Sequence, residues 1–428
     1  MNITRTFTIS AIGIIATGLA TAVSAETEVG IHTHLNNLIQ EHRAASEPLA
    51  NNDLNRFYER QGFRDYLEAY PVDQLAGDFV WEVGMGAEYI GPISGLPIKA
   101  MFSDYLPVPE GPILDPEKQY RIGFAYHGAN HPWLVSLADT AVYQASLHPN
   151  VRLEVIDSEF DDNRMGQVID NWIAQQYDAI VLWPSREAPM GPPVDRAIRA
   201  GIPVVSLDRR TSSTQISSEV LGNFYANGLQ QGLYLNHVTG GAGKLIMNRK
   251  PLGSTADSIR TGAFLEAIGD HDYSILDSFH TDSQRSVAFD TTRNALQAHR
   301  DIEIVFNTGA DEGLGALDAV REAGRLHSAP GGEKIIFLLN DDSREAVNEV
   351  RNGNVDMVAP YTPLLGDLGV RAAIRHIAYN EGLADAPPPK QILTPNLPMI
   401  TQEKMVIDGI ETITPDEWPY SFGPIPRN

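Results

Sequence analysis

The stretch LEVIDSEFDDNRMGQVIDNWIAQQYDAIVLW, residues 153–183, decides the fold. It opens on one apolar run, 153–156, and closes on another, 179–183. Between them Val168, Ile169, Trp172 and Ile173 recur at the spacing that gives a helix one apolar face, which predicts a helix over 165–176. Strand, helix and strand at this spacing make a βαβ unit, and its strands are parallel. Asp161-Asp162-Asn163 has the composition of a calcium loop, but the Gly and the closing Glu are out of place. It reads as a turn and helix N-cap.

Working outward, further strand-like runs lie at 122–126 and 204–207. A second series follows at 244–247, 275–279, 304–306, 335–339 and 355–359, separated by helical patterns such as 313–323 and 343–351. The chain is therefore α/β, with two doubly wound, Rossmann-like halves in tandem. No residue-level repeat is visible between them.

The N-terminal part differs. Arg5 is the only charge in the first 25 residues, an apolar stretch runs over 7–23, and Val23-Ser24-Ala25 supplies small residues before Glu26. That order reads as a signal peptide cut after Ala25, and it implies export. No later stretch is long and apolar enough to span a bilayer. There is no cysteine, so neither a disulfide nor a lipid anchor on Cys is expected. Cleavage would leave 403 residues, a length of about two to three domains. Residues 26–115 carry Leu35, Leu38 and Ile39, then Phe57, Phe63, Tyr66 and Leu67, at helical spacing, and then a segment dense in Gly and Pro. They read as a helical extension lying on the main body, followed by a linker. The formal charge of −23 argues against nucleic acid and anionic lipid as partners.

Doubly wound sheets bind ligands at the carboxyl ends of their strands. In the first half those ends lead to Asn130, His131 and Trp133, then Asp157, Trp183, Asp208 and Arg209. In the second half they lead to Arg249, Arg260, Ser283, Asp311, Asn340, Asp341 and Tyr361. If the halves face each other, these groups share one cleft. A carboxylate accepts from two hydroxyls at once, a guanidinium donates in a planar fork, and Trp offers a flat face to a sugar ring. The charges of Asp208, Asp341, Arg209 and Arg260 sum to zero, which favours a neutral polyhydroxy ligand over an anion.

Other motifs lead elsewhere. Gly240-Gly-Ala-Gly-Lys244 has Val238 where a phosphate loop needs its first Gly and Leu245 where it needs Ser or Thr, so it reads as a turn entering a strand. His127 and His131 have no acidic neighbour in sequence and do not match zinc spacing. No Gly-x-Ser-x-Gly nucleophile elbow occurs.

From Tyr120 onward the chain resembles the ribose-binding protein family of periplasmic sugar receptors. The residues that carry this are Tyr120-Arg-Ile-Gly-Phe-Ala, Asn130-His-Pro-Trp-Leu-Val-Ser-Leu137, Gly201-Ile-Pro-Val-Val-Ser-Leu-Asp-Arg209, Ser258-Ile-Arg260-Thr-Gly-Ala-Phe264 and Asn307-Thr-Gly-Ala-Asp-Glu-Gly-Leu-Gly-Ala-Leu317. The resemblance implies two lobes joined by a hinge, with the ligand cleft between them. Lobe 1 would span 116–223 and 362–393, and lobe 2 224–361 and 394–428. Asp208, Arg209, Arg260 and Asp341 fall where that family binds sugar hydroxyls, Trp133 where an aromatic stacks on the ring, and His131 at an Asn position. Leu134 and Ser283 replace aromatics, Gly309 or Ala310 an Asn, and Tyr361 a Gln, which points away from ribose itself. Phe57-Tyr-Glu-Arg-Gln-Gly-Phe-Arg-Asp-Tyr-Leu-Glu-Ala-Tyr-Pro71 is similar to the N-terminal extension of periplasmic autoinducer-2 receptors of the LuxP kind. Trp133 and Arg260 match that receptor's ligand contacts, while Asp208 stands where it has Asn. The resemblances imply a monomeric, non-enzymatic periplasmic binding protein without cofactor or metal. Its partner would be an inner-membrane ABC permease or, on the second resemblance, a sensor kinase. A glycoside-cleaving enzyme would need two free carboxylates at a set separation. Asp208 and Asp341 instead adjoin donors suited to holding ionised acceptors.

Overall fold

The computed structural model describes residues 114–422 except 129–130, 223, 270, 327–333, 362, 364, 389, 394–396, 409 and 419–420. The expected signal peptide, nearly all of the helical extension, and Asn130 lie outside the described residues.

The chain first alternates β1 (Tyr120–Tyr126), α1 (Pro132–Ser146), β2 (Val151–Asp157), α2 (Asp162–Ala174), β3 (Ala179–Leu182), α3 (Glu187–Arg199), β4 (Val204–Leu207) and β5 (Ser218–Leu221). After α4 (Phe224–Thr239) the pattern repeats with β6 (Ala242–Arg249), α5 (Thr255–Ile268), β7 (Asp272–His280), α6 (Arg285–Ala298), β8 (Ile304–Asn307), α7 (Ala310–Glu322), β9 (Ile336–Asn340), α8 (Arg344–Arg351) and β10 (Met357–Ala359). The chain then returns through α9 (Leu365–Asn380) and β11 (Gln391–Leu393), and ends in β12 (Ile400–Thr401) and the small hairpin of β13 (Val406–Ile407) and β14 (Ile410–Glu411).

Two six-stranded sheets result. Their orders, β11-β5-β4-β3-β1-β2 and β12-β10-β9-β8-β6-β7, are the same pattern twice. All pairings in the first sheet are parallel, and in the second only the edge strand β12 runs antiparallel. Helices cover both faces, which is why β3, β4 and β8 are buried without alternation. In this order the switch point lies between β1 and β3, and between β6 and β8.

Among the described residues the chain crosses between the lobes three times, after β5, after β10 and after β11. Amides on α4 tie the crossings together. Asn227 Nδ2 donates to the Pro360 carbonyl at 2.9 Å and Gln230 Nε2 to the Leu397 carbonyl at 2.7 Å. Helices α4 and α5 lie close because Gly228 has no side chain; a Cβ there would sit 2.1 Å from the Arg260 carbonyl oxygen. Gly228→Ala should therefore force the helices apart and lower unfolding free energy by about 1–3 kcal/mol. Denaturant titration of the variant checks this.

The sequence-derived elements correspond well, with shifted ends. Asp161 caps α2, accepting from the N–H groups of Asn163 and Arg164. Gly240 and Gly241 take positive φ at the turn into β6. Strand β5 and the short strands after α9 are additions to the sequence reading.

Candidate functional site

The carboxyl ends of both sheets open on one shared cavity. Lobe 1 supplies His131, Trp133, Trp183, Asp208 and Arg209; lobe 2 supplies Lys250, Arg260, Ser283 and Asp341. Phe224 and Tyr361 come from the first two crossings.

Two aspartates occupy matching places. Asp208 follows β4 and Asp341 follows β9, each the fourth strand of its lobe. Both take the left-handed conformation, at φ 65° and 68°. Asp is among the few residues that accept it as single residues. Each donates its backbone N–H to the next strand of its sheet, Asp208 to the Val220 carbonyl at 2.8 Å and Asp341 to that of Ala359 at 3.0 Å. The twist turns each carboxylate off the strand end into the cavity. Here is the internal repeat that residue identities alone conceal.

The Asp208 carboxylate accepts from Trp183 Nε1 at 2.6 Å, lies 3.5 Å from Arg209 Nε, and accepts from the Tyr361 hydroxyl. Burial pushes its pKa up, against the pull of Arg209, Tyr361 and Trp183. Arg209 stacks over the Trp183 ring at 4.2 Å and donates to the Ser185 carbonyl at 2.8 Å. In lobe 2, Arg260 donates to Asp341 Oδ1 and to the Thr308 carbonyl, each at 2.6 Å. Its guanidinium lies 5.0 Å and 4.8 Å from the ring centres of Phe224 and Tyr361.

Tyr361 sits at the centre. Its ring stacks on Phe224 at 4.7 Å and on Trp133 at 5.8 Å. A Cβ at Gly222 would lie 2.1 Å from that ring. Its hydroxyl accepts from the Gly222 N–H at 3.0 Å while donating to Asp208. Burial, then the Asp208 charge, holds the phenol neutral well above its ordinary range. Its carbonyl accepts from Trp133 Nε1, and its N–H donates to Asp342 Oδ1, both at 3.0 Å.

Asp342 is fully buried, and burial raises its carboxyl to about 7, against hydrogen bonds from backbone N–H groups and Trp418. A carboxyl raised in the folded state contributes stability below about pH 4, and the contribution is lost as pH rises through about 7. Asp342→Asn keeps an acceptor for the Tyr361 N–H and removes the titration. Its melting temperature should gain on the wild type between pH 4.5 and pH 8, a trend calorimetry at several pH values will show.

The cavity collects most of the sequence candidates: His131, Trp133, Asp208, Arg209, Arg260, Ser283, Asp341 and Tyr361. Asp311 is a quarter exposed and lines the outer mouth, where it pairs with His131 at 2.8 Å. Three other strand-end residues serve the scaffold. Asp157 accepts from the Gly128 N–H, Asn340 donates to Gln231 Oε1, and Arg249 pairs with Asp257. Both histidines that lack acidic neighbours in sequence gain one in space; His127 Nε2 lies 3.5 Å from Asp162.

Sequence reasoning missed Lys250 and its partner Glu312. Lys250 lines the cavity and lies 3.0 Å from the fully buried Glu312 and 3.8 Å from Asp341. The strand-end rule stopped one residue short, at Arg249. Phe224 was missed too, because a crossing has no strand-end signal. Lys250 and Glu312 enter as a pair, so the charges around the cavity still cancel: Arg209, Lys250 and Arg260 against Asp208, Glu312 and Asp341.

Two like-wound lobes, three crossings and a buried polar cavity between sheet ends define a two-lobed cleft receptor. The profile of the periplasmic binding protein domain matches residues 122–381, and the chain belongs to that family. It is 27% identical over 256 residues to the ribose import binding protein RbsB of Haemophilus influenzae, covering 60% of this chain and 85% of that one. The fold is also that of the periplasmic component of an arabinose ABC transporter from Shewanella sp. ANA-3, bound to L-arabinofuranose (TM-score 0.60, 24% identity, 66% of this chain and 92% of the other). A solute binding protein from Bacillus halodurans C-125 with bound myo-inositol gives a TM-score of 0.61 at 20% identity, with 67% and 95% covered.

Proposed function

We propose that this protein captures a small neutral sugar or polyol in the cleft and hands it to the permease of an inner-membrane ABC importer. The observation that carries this is the charge balance of a buried, aromatic-walled cavity. A net-charged ligand would leave an uncompensated charge out of water, whereas hydroxyls exchange hydrogen bonds with both signs. Asp208 and Asp341 accept from ligand hydroxyls; Arg209, Arg260 and Lys250 donate to ligand oxygens. Trp133, Trp183 and Phe224 face the C–H surfaces of the ring. Ser283 and the buried Nδ1 of His131, which has no hydrogen-bond partner among the described residues, complete the polar set. Asp311 contributes from outside, through His131. The relatives named for ribose, arabinose and myo-inositol agree with this ligand class. The chain acts as a monomer in the periplasm after cleavage at Ala25, and it binds without catalysing a reaction.

A thermal-shift screen with pentoses, hexoses, polyols and autoinducer-2 tests the reading. A ligand at 100 times its Kd adds about 2.7 kcal/mol to stability, a clear rise in melting temperature. Saturable stabilisation by a neutral sugar or polyol is expected. Stabilisation only by organic acids or amines would overturn it.

A further inference from the structure

The ion pairs inside the cleft each stay within one lobe: Asp208–Arg209 in the first, Lys250–Glu312 and Arg260–Asp341 in the second. One pair at the mouth does not. His131 stands just before α1 in lobe 1, Asp311 in the first turn of α7 in lobe 2, and Nε2 meets Oδ2 at 2.8 Å. We infer that His131 and Asp311 form a latch that closes the cleft over its ligand, and that its strength follows the charge of the imidazole. This rests on reading the cleft as the ligand site.

His131 faces both ways. It borders the inner cavity and the outer mouth, and its buried Nδ1 has no hydrogen-bond partner among the described residues. A protonated ring donates from both nitrogens, so Nε2 holds Asp311 while Nδ1 offers a proton to a ligand oxygen. Closure and ligand contact then draw on one charge state. The neighbouring charges have partners of their own: Lys250 pairs with Glu312, Arg186 with Asp162, and Arg285 with Asp318 and Glu345. Asp282 also lines the mouth, but its side chain is exposed. Among the described residues three other hydrogen bonds cross the lobes: the Glu187 N–H donates to the Gly253 carbonyl at 3.3 Å, the Arg210 N–H to Thr255 Oγ1 at 3.0 Å, and the Thr255 hydroxyl to the Glu187 carboxylate.

The direction with pH follows from the pair. Burial acts to raise Asp311, but the His131 charge and hydrogen bond, then Lys250 and Arg285, hold it at about 2. A depressed carboxyl favours closure above its free value near 4 and loses that contribution as pH falls through about 2. An unprotonated imidazole carries no charge to set against Asp311, so the latch weakens toward alkaline pH.

The test uses the full chain and two variants, His131→Gln and Asp311→Asn. The probe is the pentose, hexose or polyol with the largest thermal shift in the screen. Its Kd, measured by calorimetry, should weaken about three- to tenfold from pH 5.5 to pH 8.5 in the wild type. Both variants should bind more weakly at pH 5.5 and show a flat profile. Small-angle scattering without added sugar should show the wild type more compact at pH 5.5 than at pH 8.5, and Asp311→Asn unchanged. A wild-type Kd independent of pH, or variants that keep the wild-type slope, would overturn the latch. Absence of any thermal shift with sugars would instead overturn the ligand reading, and the scattering arm still tests the latch.

Discussion

Arg260→Ala should weaken sugar binding by about 30-fold to several thousand-fold, the equivalent of about 2–5 kcal/mol. The guanidinium is buried, bonded to Asp341 and the Thr308 carbonyl, and braced against Phe224 and Tyr361. Its removal strips Asp341 of its nearest cation and leaves Lys250 at 3.8 Å as the closest. The carboxylate meant for ligand hydroxyls is then itself short of compensation, which is why loss of one partner costs more than the pair contributes. Arg260→Lys keeps the charge but not the planar fork, so its loss should be intermediate. Calorimetric titration of both variants, with circular dichroism to confirm folding, reads the effect. An unchanged Kd for Arg260→Ala would take this residue out of the site.

Asp208→Asn should cost about 2–3 kcal/mol, roughly 30- to 150-fold in Kd, and leave the fold intact. Asn tolerates the left-handed conformation that Asp208 adopts at φ 65°, so the backbone bond to Val220 survives. What changes is the count of acceptors. Trp183 Nε1 and the Tyr361 hydroxyl already donate to this carboxylate, and a single amide oxygen cannot serve them and a ligand hydroxyl together. Arg209 also loses its counter-charge at 3.5 Å. Asp208→Leu, by contrast, should unfold the loop, since a branched apolar residue resists positive φ. Matching circular dichroism for Asp208→Asn and wild type, with binding weakened only in the variant, is the expected pair of results.

The parallel strands were legible because they are buried on both faces and read as continuous apolar runs, as at 179–182 and 204–207. Strand β5 escaped notice for the opposite reason. Ser218 and Glu219 are polar yet buried, with Ser218 Oγ against His376 Nε2 at 2.9 Å and the Glu219 N–H on the Lys390 carbonyl. Those partners are remote in sequence, so periodicity carries no sign of them. The same division holds in the cavity. Asp208, Arg209 and Asp341 follow strand ends, where a topological rule can find them. Phe224 lies on a crossing, Glu312 acts behind Lys250, and the meeting of His131 with Asp311 exists only once the two lobes face each other.

The aromatic walls of the cleft have an optical corollary. Of five tryptophans in the chain, Trp133 and Trp183 border the cavity, their indole nitrogens bonded to the Tyr361 carbonyl and the Asp208 carboxylate. Trp172 is bound to Glu154 in the outer layer of lobe 1. A solute that displaces water from those two rings changes their emission, so the unlabelled protein carries its own fluorescent gauge of occupancy.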